Sequence, residues 1–254
     1  MKLNKKKVLT ASLAISLVAI LSFGTIAWFN ATSEEVTNKF MIADSDGNNV
    51  PDFSVELFET KEGTEVTGKE YFDILPNAVL DKDPTVRNTG DYDMYTRVVV
   101  TLSDAKAWIK ASFDYDLVNS HSNVGSQDAI LEEMIDLNSN WKRYTDPVHN
   151  ETDDTLTYVY YYEGAQGGVL EGVKGTEKSK DKTTEPLFTK VTIPYQLQMD
   201  DMNYGNDKGF TITVKAEAVQ SENIIKDTTT IEYSKAYTAF KEANWPELGS
   251  YPQP

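Results

Sequence analysis

Gly209-Phe210-Thr211-Ile212-Thr213-Val214-Lys215-Ala216-Glu217-Ala218-Val219 is the stretch whose reading decides the fold class. Phe210, Ile212, Val214, Ala216 and Ala218 fall at every second position. An extended chain places all five on one face and the residues between them on the other. Aromatic and β-branched side chains in that alternation mark a strand. Three more segments read the same way: Phe53 to Leu57, Met94 to Leu102 (with Arg97-Val98-Val99-Val100-Thr101 inside it), and Leu156 to Tyr162. Leu187 to Leu197 is a further strand, and its Pro194 suits a sheet edge or a bulge because proline has no N–H to donate.

Turn-forming residues lie between these strands: Asn88-Thr89-Gly90-Asp91, Gly167-Gly168 and Tyr204-Gly205-Asn206-Asp207. Many spaced strands with few helices predict an all-β chain built as a β-sandwich. Helical patterns are minor. Asp128 to Leu137 brings Ile130 to Met134 and Leu131 to Ile135 at i,i+4, and Glu232 to Ala243 carries Tyr233, Tyr237 and Phe240. Ser103 is placed to cap a short helix bearing Trp108 and Ile109. These pieces read as insertions over the edges or ends of the sandwich. Thr176 to Glu185 is polar and charged, and reads as an exposed loop.

Ahead of the strands stands a different kind of sequence. Lys2, Lys5, Lys6 and Lys7 form a positive cluster, followed by an almost uncharged apolar run from Val8 to Phe29. A basic head that stays in the cytoplasm and an apolar run that enters the bilayer make a secretory signal peptide. The run closes on Gly24-Thr25-Ile26-Ala27, small or polar residues that fit a signal peptidase cleft. The run is also long enough to be an uncleaved anchor helix. The expected organisation is a signal helix over residues 1–27, an N-terminal segment over 28–52, and a sandwich domain over 53–254 with insertions near 103–150 and 164–185. No second long apolar run or LPxTG-like sorting motif follows, so no C-terminal anchor is expected.

The formal charge is -16, and removal of the four leader lysines makes it more negative still. Such a chain does not hold a polyanion by bulk electrostatics, so nucleic acid is not an expected partner. With no cysteine there is no disulfide, thiol nucleophile or thiolate metal site. The core of about 225 residues must therefore be stable without cross-links. His121 and His149 are the only histidines, and neither lies in an HExxH helix. There is no GxSxG elbow, P-loop or GxGxxG. The residues therefore predict a protein that is not an enzyme.

One acidic segment has ligand-like spacing. Asp44, Asp46, Asn48 and Asp52 offer side-chain oxygens at relative positions one, three, five and nine, and Val50 offers a carbonyl at position seven. Calcium takes many hard oxygen ligands on a tight loop. Val55 stands where an EF-hand has its bidentate Glu, and the alternative is a solvated Asx-rich turn. The run Tyr158-Val159-Tyr160-Tyr161-Tyr162 allows a sugar-binding platform, against the plainer reading of a strand whose alternate tyrosines face core and solvent.

Several blocks together resemble the TasA/camelysin-like family of exported proteins. Gly24-Thr25-Ile26-Ala27-Trp28-Phe29 resembles the family's alternate signal-peptide ending. Val86-Arg87-Asn88-Thr89-Gly90, running into Tyr95-Thr96-Arg97-Val98, is similar to its V-x-N-T-G…Y-x-R-V segment. Tyr160-Tyr161-Tyr162 with Pro186-Leu187-Phe188 and Val191-Thr192-Ile193-Pro194 is similar to a Y-Y-Y…P-L-F…V-x-I-P block. Ala216-Glu217-Ala218-Val219-Gln220-Ser221-Glu222-Asn223 is similar to the A-x-A-V-Q-A-x-N strand end. The resemblance implies a jelly-roll-like β-sandwich and cleavage between Ala27 and Trp28 by a SipW-type signal peptidase. It also implies a secreted matrix or cell-surface protein, in a Gram-positive bacterium, that touches the membrane only through its signal peptide before cleavage.

Family members of the TasA kind assemble into biofilm fibres, the freed N-terminal segment of one subunit adding as a strand to the next. An open sheet edge carries unpaired N–H and C=O groups that an incoming strand satisfies. The donor here would be Trp28 to Met41, with Trp28, Phe29, Val36, Phe40 and Met41 as its apolar residues and a polar centre from Thr32 to Glu35. The alternatives for this segment are a flexible leader or a strand that completes its own sandwich. For the whole protein they are a monomeric, calcium-stabilised surface binding module or a camelysin-like metalloprotease.

Overall fold

The computed structural model describes residues 30–32, 53–71, 74–75, 77–111, 130–164, 167–172, 182–194, 197, 210–226 and 228–245. The described chain is mostly β-strand with a few short helices. The strands are β1 (Asn30–Thr32), β2 (Val55–Lys61), β3 (Thr64–Val66), β4 (Val79–Asp81), β5 (Thr85–Asn88), β6 (Met94–Ser103), β7 (Trp141–Lys142), β8 (Val148–Asn150), β9 (Thr155–Tyr162), β10 (Val169–Leu170), β11 (Lys190–Thr192) and β12 (Ile212–Gln220). The helices are α1 (Ile130–Met134) and α2 (Lys235–Glu242), with a helical stretch at 105–111. A seven-stranded sheet runs β1-β12-β6-β9-β7, with β10 paired to β6 and β8 to β9. A three-stranded sheet runs β3-β2-β5, and β11 pairs with β4.

The alternation in β12 falls as expected. Val214, Ala216 and Ala218 enter the inner core, and Phe210 and Ile212 pack against it. From β6 the same face receives Met94, Val98, Val100 and Leu102, and from β9 it receives Leu156, Tyr158, Tyr160 and Tyr162. The β2 and β5 side chains Val55, Leu57 and Val86 close this core from the other side, joined by Leu187 and Phe188. Every residue of β6 from Met94 to Val100 is buried. A strand covered on both faces needs this near-continuous apolar content.

The second face of the large sheet is where expectation and structure part. Alternate tyrosines of β9 were expected to face solvent, but Val159 and Tyr161 are buried on the outer face with Tyr95, Val99 and Val219. The cover is α2, which lays Ala236, Ala239 and Phe240 over them. This helix lies on a face of the sheet instead of at an edge or end. Its start is fixed by Ser234, whose hydroxyl accepts the Tyr237 N–H at 3.1 Å.

Smaller corrections have local causes. Among the described residues from Leu187 to Leu197 the strand is β11 alone, ending before Pro194. Ser103 does not cap the helical stretch 105–111. Its Oγ accepts the Thr211 N–H, while Asp104 C=O accepts the N–H groups of Ala107 and Trp108. The exposed N–H groups at that helix start go to Asp154, whose C=O takes Ala105 N–H and whose Oδ1 takes Lys106 N–H. Within the expected loop 176–185, Lys182 and Thr184 are buried, and Thr184 exchanges hydrogen bonds with Val86. The β2–β3 hairpin, which the sequence reading missed, turns on Glu62 and Gly63, both at positive φ (53° and 79°). Two left-handed residues in a two-residue loop give the strands the right twist.

The turn Asn88-Thr89-Gly90-Asp91 has a specific lock. Asn88 is 1% exposed. Its amide donates to the carbonyls of Tyr92, Leu170 and Glu171 at 2.8, 3.1 and 3.0 Å, and its Oδ1 accepts Gly90 N–H at 2.9 Å. The chain just after β10 reaches this turn through Gly172, where a Cβ would stand 2.1 Å from the Asp91 carbonyl oxygen. Asn88→Asp keeps the shape but turns the donor into an acceptor facing three carbonyls. We expect a loss of about 3 kcal/mol of stability, read as a lowered urea midpoint at unchanged m-value. An unchanged midpoint removes the lock from the account.

Candidate strand-docking edge

The outermost strand that the large sheet builds from the domain itself is β12, and β1 lies against it. The pairing is antiparallel, with Asn30 opposite Val219, Ala31 opposite Ala218 and Thr32 opposite Glu217. The described part of the expected donor segment 28–41 is thus a strand, and in the single chain it completes the chain's own sheet. The cleavage pair Ala27 and Trp28 lies outside the described residues, as do the apolar donor positions Phe29, Val36, Phe40 and Met41. The candidate calcium ligands Asp44, Asp46, Asn48, Val50 and Asp52 lie outside them as well. At the opposite side of the sheet, β9 carries β7 at its end and β8 at its beginning, with Tyr162 opposite Trp141 and Thr155 opposite Asn150.

Immediately inside the docking edge sits a buried ion pair. Arg97 of β6 is the cross-strand neighbour of Glu217 on one side and of Tyr161 on the other. Arg97 Nε donates to Glu217 Oε2 at 2.7 Å, and Nη1 donates to the Tyr161 hydroxyl at 3.1 Å. The guanidinium carbon lies 4.6 Å from the Phe240 ring centre and 5.8 Å from the Tyr161 and Trp245 ring centres. A flat cation between aromatic faces suits arginine more than lysine. The side chains of Arg97 and Glu217 are 6% and 0% exposed. Burial pushes the Glu217 carboxyl up while the facing Arg97 pulls it down, with burial the larger effect. A hydrogen bond with the Trp245 side chain also pulls this carboxyl down.

Other chemistry is sparse. Among the described residues no group of three His, Asp or Glu side chains could hold a metal ion. No helix among them is long and apolar enough to cross a membrane. His149 is half-buried, its Nε2 3.9 Å from Asp154 Oδ1. A surface depression of about 320 Å³ is bordered by α1 and β7. Of its charged residues Glu132, Lys142 and Arg143, Arg143 and Glu132 are paired at 2.8 Å, and the Tyr160 hydroxyl donates to the same carboxylate oxygen at 3.3 Å. The run Tyr158 to Tyr162 cannot serve as a sugar platform, because all five residues are buried.

Comparison of the chain with family models, curated proteins and solved structures gives no match.

The ion pair gives a quantitative expectation. Breaking a buried pair from one side strands a charge in the interior, whereas replacing both partners does not. Arg97→Met and Glu217→Leu should each cost roughly 3–5 kcal/mol, and the double variant clearly less than their sum. Urea unfolding of the four proteins measures this coupling, and strict additivity would mean that the two side chains act independently.

Proposed function

We propose that this chain is an exported structural protein of the extracellular matrix or cell surface. In this reading a jelly-roll-like sandwich of the TasA/camelysin kind assembles into fibres by exchanging its N-terminal strand. The observation that carries the reading is the pairing of Asn30–Thr32 with the β12 edge. A SipW-type peptidase cutting between Ala27 and Trp28 would leave this strand at the new N-terminus. Stacking of the β3-β2-β5 sheet on the large sheet through one core supports the sandwich.

The physical route from edge strand to fibre is short. Residues 33–54 connect β1 to β2. An extended chain of that length reaches about 75 Å, far enough to carry β1 to a neighbouring molecule. A β1 that leaves its own β12 and pairs with the next copy's β12 makes the same ladder bonds in both states. Exchange therefore costs little beyond association, as in domain swapping. Donor and acceptor surfaces differ, so the contact is head-to-tail and propagates into a filament when the rotation does not close.

Purified protein beginning at Trp28 should form filaments visible by electron microscopy, and protein lacking residues 28–41 should stay monomeric. Pro at both Ala31 and Thr32 is the finer variant. Adjacent residues in an antiparallel strand point their N–H groups to opposite sides, so one of the two prolines must remove a bond to β12. This variant should fold and fail to polymerise. If all forms remain monomeric over a wide range of concentration and pH, the assembly reading is lost. N-terminal sequencing of the secreted form tests the cleavage position separately.

A further inference from the structure

Away from the β12 edge, the start of α2 presents an aromatic ring in an unusual way. Tyr233 is 66% exposed and sits at φ 55°. It is the middle residue of a three-residue turn closed by Ser234 N–H donating to Glu232 C=O at 2.6 Å. A positive φ at the centre of such a turn is the rare, strained form, and a bulky side chain there is an outlier. Both flanks are pinned to the first turn of the helix. Ser234 is the cap, and Thr238 Oγ1 accepts Glu232 N–H at 3.0 Å and contacts the carbonyls of Glu232 and Ser234. Strain that persists because its neighbours over-determine it is a marker of functional positions.

The ring is also backed. Tyr144 stacks on one face of it, with ring centres 5.0 Å apart and planes at 17°. Tyr237 meets it edge-on at 5.2 Å, and meets Tyr144 edge-on at 5.6 Å. Tyr144 in turn is held by its hydroxyl, which donates to Glu163 Oε1. One aromatic face therefore points outward from a fixed three-ring stack, with the Glu163 and Glu232 carboxylates at its rim. Glu232 is also paired with Lys241.

The geometry points to a carbohydrate-binding platform at Tyr233–Tyr144–Tyr237 that takes a neutral pyranose polymer. A pyranose ring offers a flat patch of polarised C–H groups that suits the negative face of an aromatic ring, and hydroxyl donors that suit carboxylate acceptors at the rim. The acidic rim and the net charge of -16 oppose an anionic polymer. A proline-rich peptide docks in grooves between rings set side by side, whereas here the second ring lies beneath the first. The inference does not depend on fibre formation, since Tyr233 lies in the turn ahead of α2 and the strand exchange on β12.

The test is native electrophoresis of the monomeric fraction in gels containing soluble neutral polysaccharides, namely hydroxyethylcellulose, a mixed-linkage β-glucan and galactomannan, with alginate as the anionic comparison. Wild type should be retarded by at least one neutral polymer and not by alginate. Tyr233→Phe should keep the retardation, Tyr233→Trp should strengthen it, and Tyr233→Ala should weaken binding about three- to tenfold. Because Tyr233→Ala also loosens the stack on Tyr144, the ring-preserving variants carry equal weight. The proposal is overturned if no neutral polymer retards wild type, or if Tyr233→Phe and Tyr233→Trp lose retardation while the thermal melting stays unchanged. It is equally overturned if Tyr233→Ala migrates as wild type does, or if a proline-rich peptide binds at Tyr233 while no polysaccharide does.

Discussion

Everything in this domain is arranged around a strand that has no solvent side. From Met94 to Val100, β6 is covered above and below and flanked by β12 and β9. Any polar group on it must be answered from within the protein. Thr96 meets this requirement by donating to the Glu217 carbonyl at 2.9 Å. Arg97 meets it with Glu217, Tyr161 and the rings of Phe240 and Trp245. One residue of β12, Glu217, thus serves both faces of the central strand, its carbonyl toward Thr96 and its carboxylate toward Arg97. The register of the two strands is fixed by this arrangement, because a one-residue slip would turn Glu217 toward the inner core.

How much of this could be read from the residues depends on what kind of information a strand carries. Period-two alternation shows which side chains share a face, and in β12 the inner face was legible to the residue. It does not say what covers the other face. In β9, Tyr161 looks like a solvent-facing strand tyrosine until α2 is placed over it, and α2 has only Ala236, Ala239 and Phe240 with which to announce its buried stripe. Two alanines are a weak apolar signal, and the conspicuous aromatic beside them, Tyr233 in the turn ahead of the helix, is exposed. The hairpin at Glu62-Gly63 was legible in principle, since a glycine in a short polar break between alternating segments marks a tight turn. Asn88 was recognised as a turn residue, but two of its three carbonyl partners, Leu170 and Glu171, lie in and just after β10, which no local pattern connects to it.

The two candidate interaction surfaces rest on different physics and lie on different elements. At the β12 edge the relevant groups are backbone N–H and C=O, indifferent to side-chain identity, so specificity must come from what flanks them. At Tyr233 the relevant group is a single side chain whose orientation is set by the caps and hydrogen bonds of α2. The two meet indirectly through Arg97. The guanidinium packs under Phe240 of α2 and pairs with Glu217 of the docking edge, so the helix and the edge share one buried cation.

The wiring of β6 and β12 also bears on when the molecule can fold. Arg97 meets a Glu217 that stands 120 positions further along the chain. A ribosome-bound chain lacking Ile212–Gln220 leaves one edge of β6 unpaired and Arg97 without its carboxylate. High contact order of this kind slows folding and delays it to the end of chain synthesis. A chain whose central strand waits for a partner made so much later stays open through most of its synthesis and closes only once Ile212–Gln220 is available.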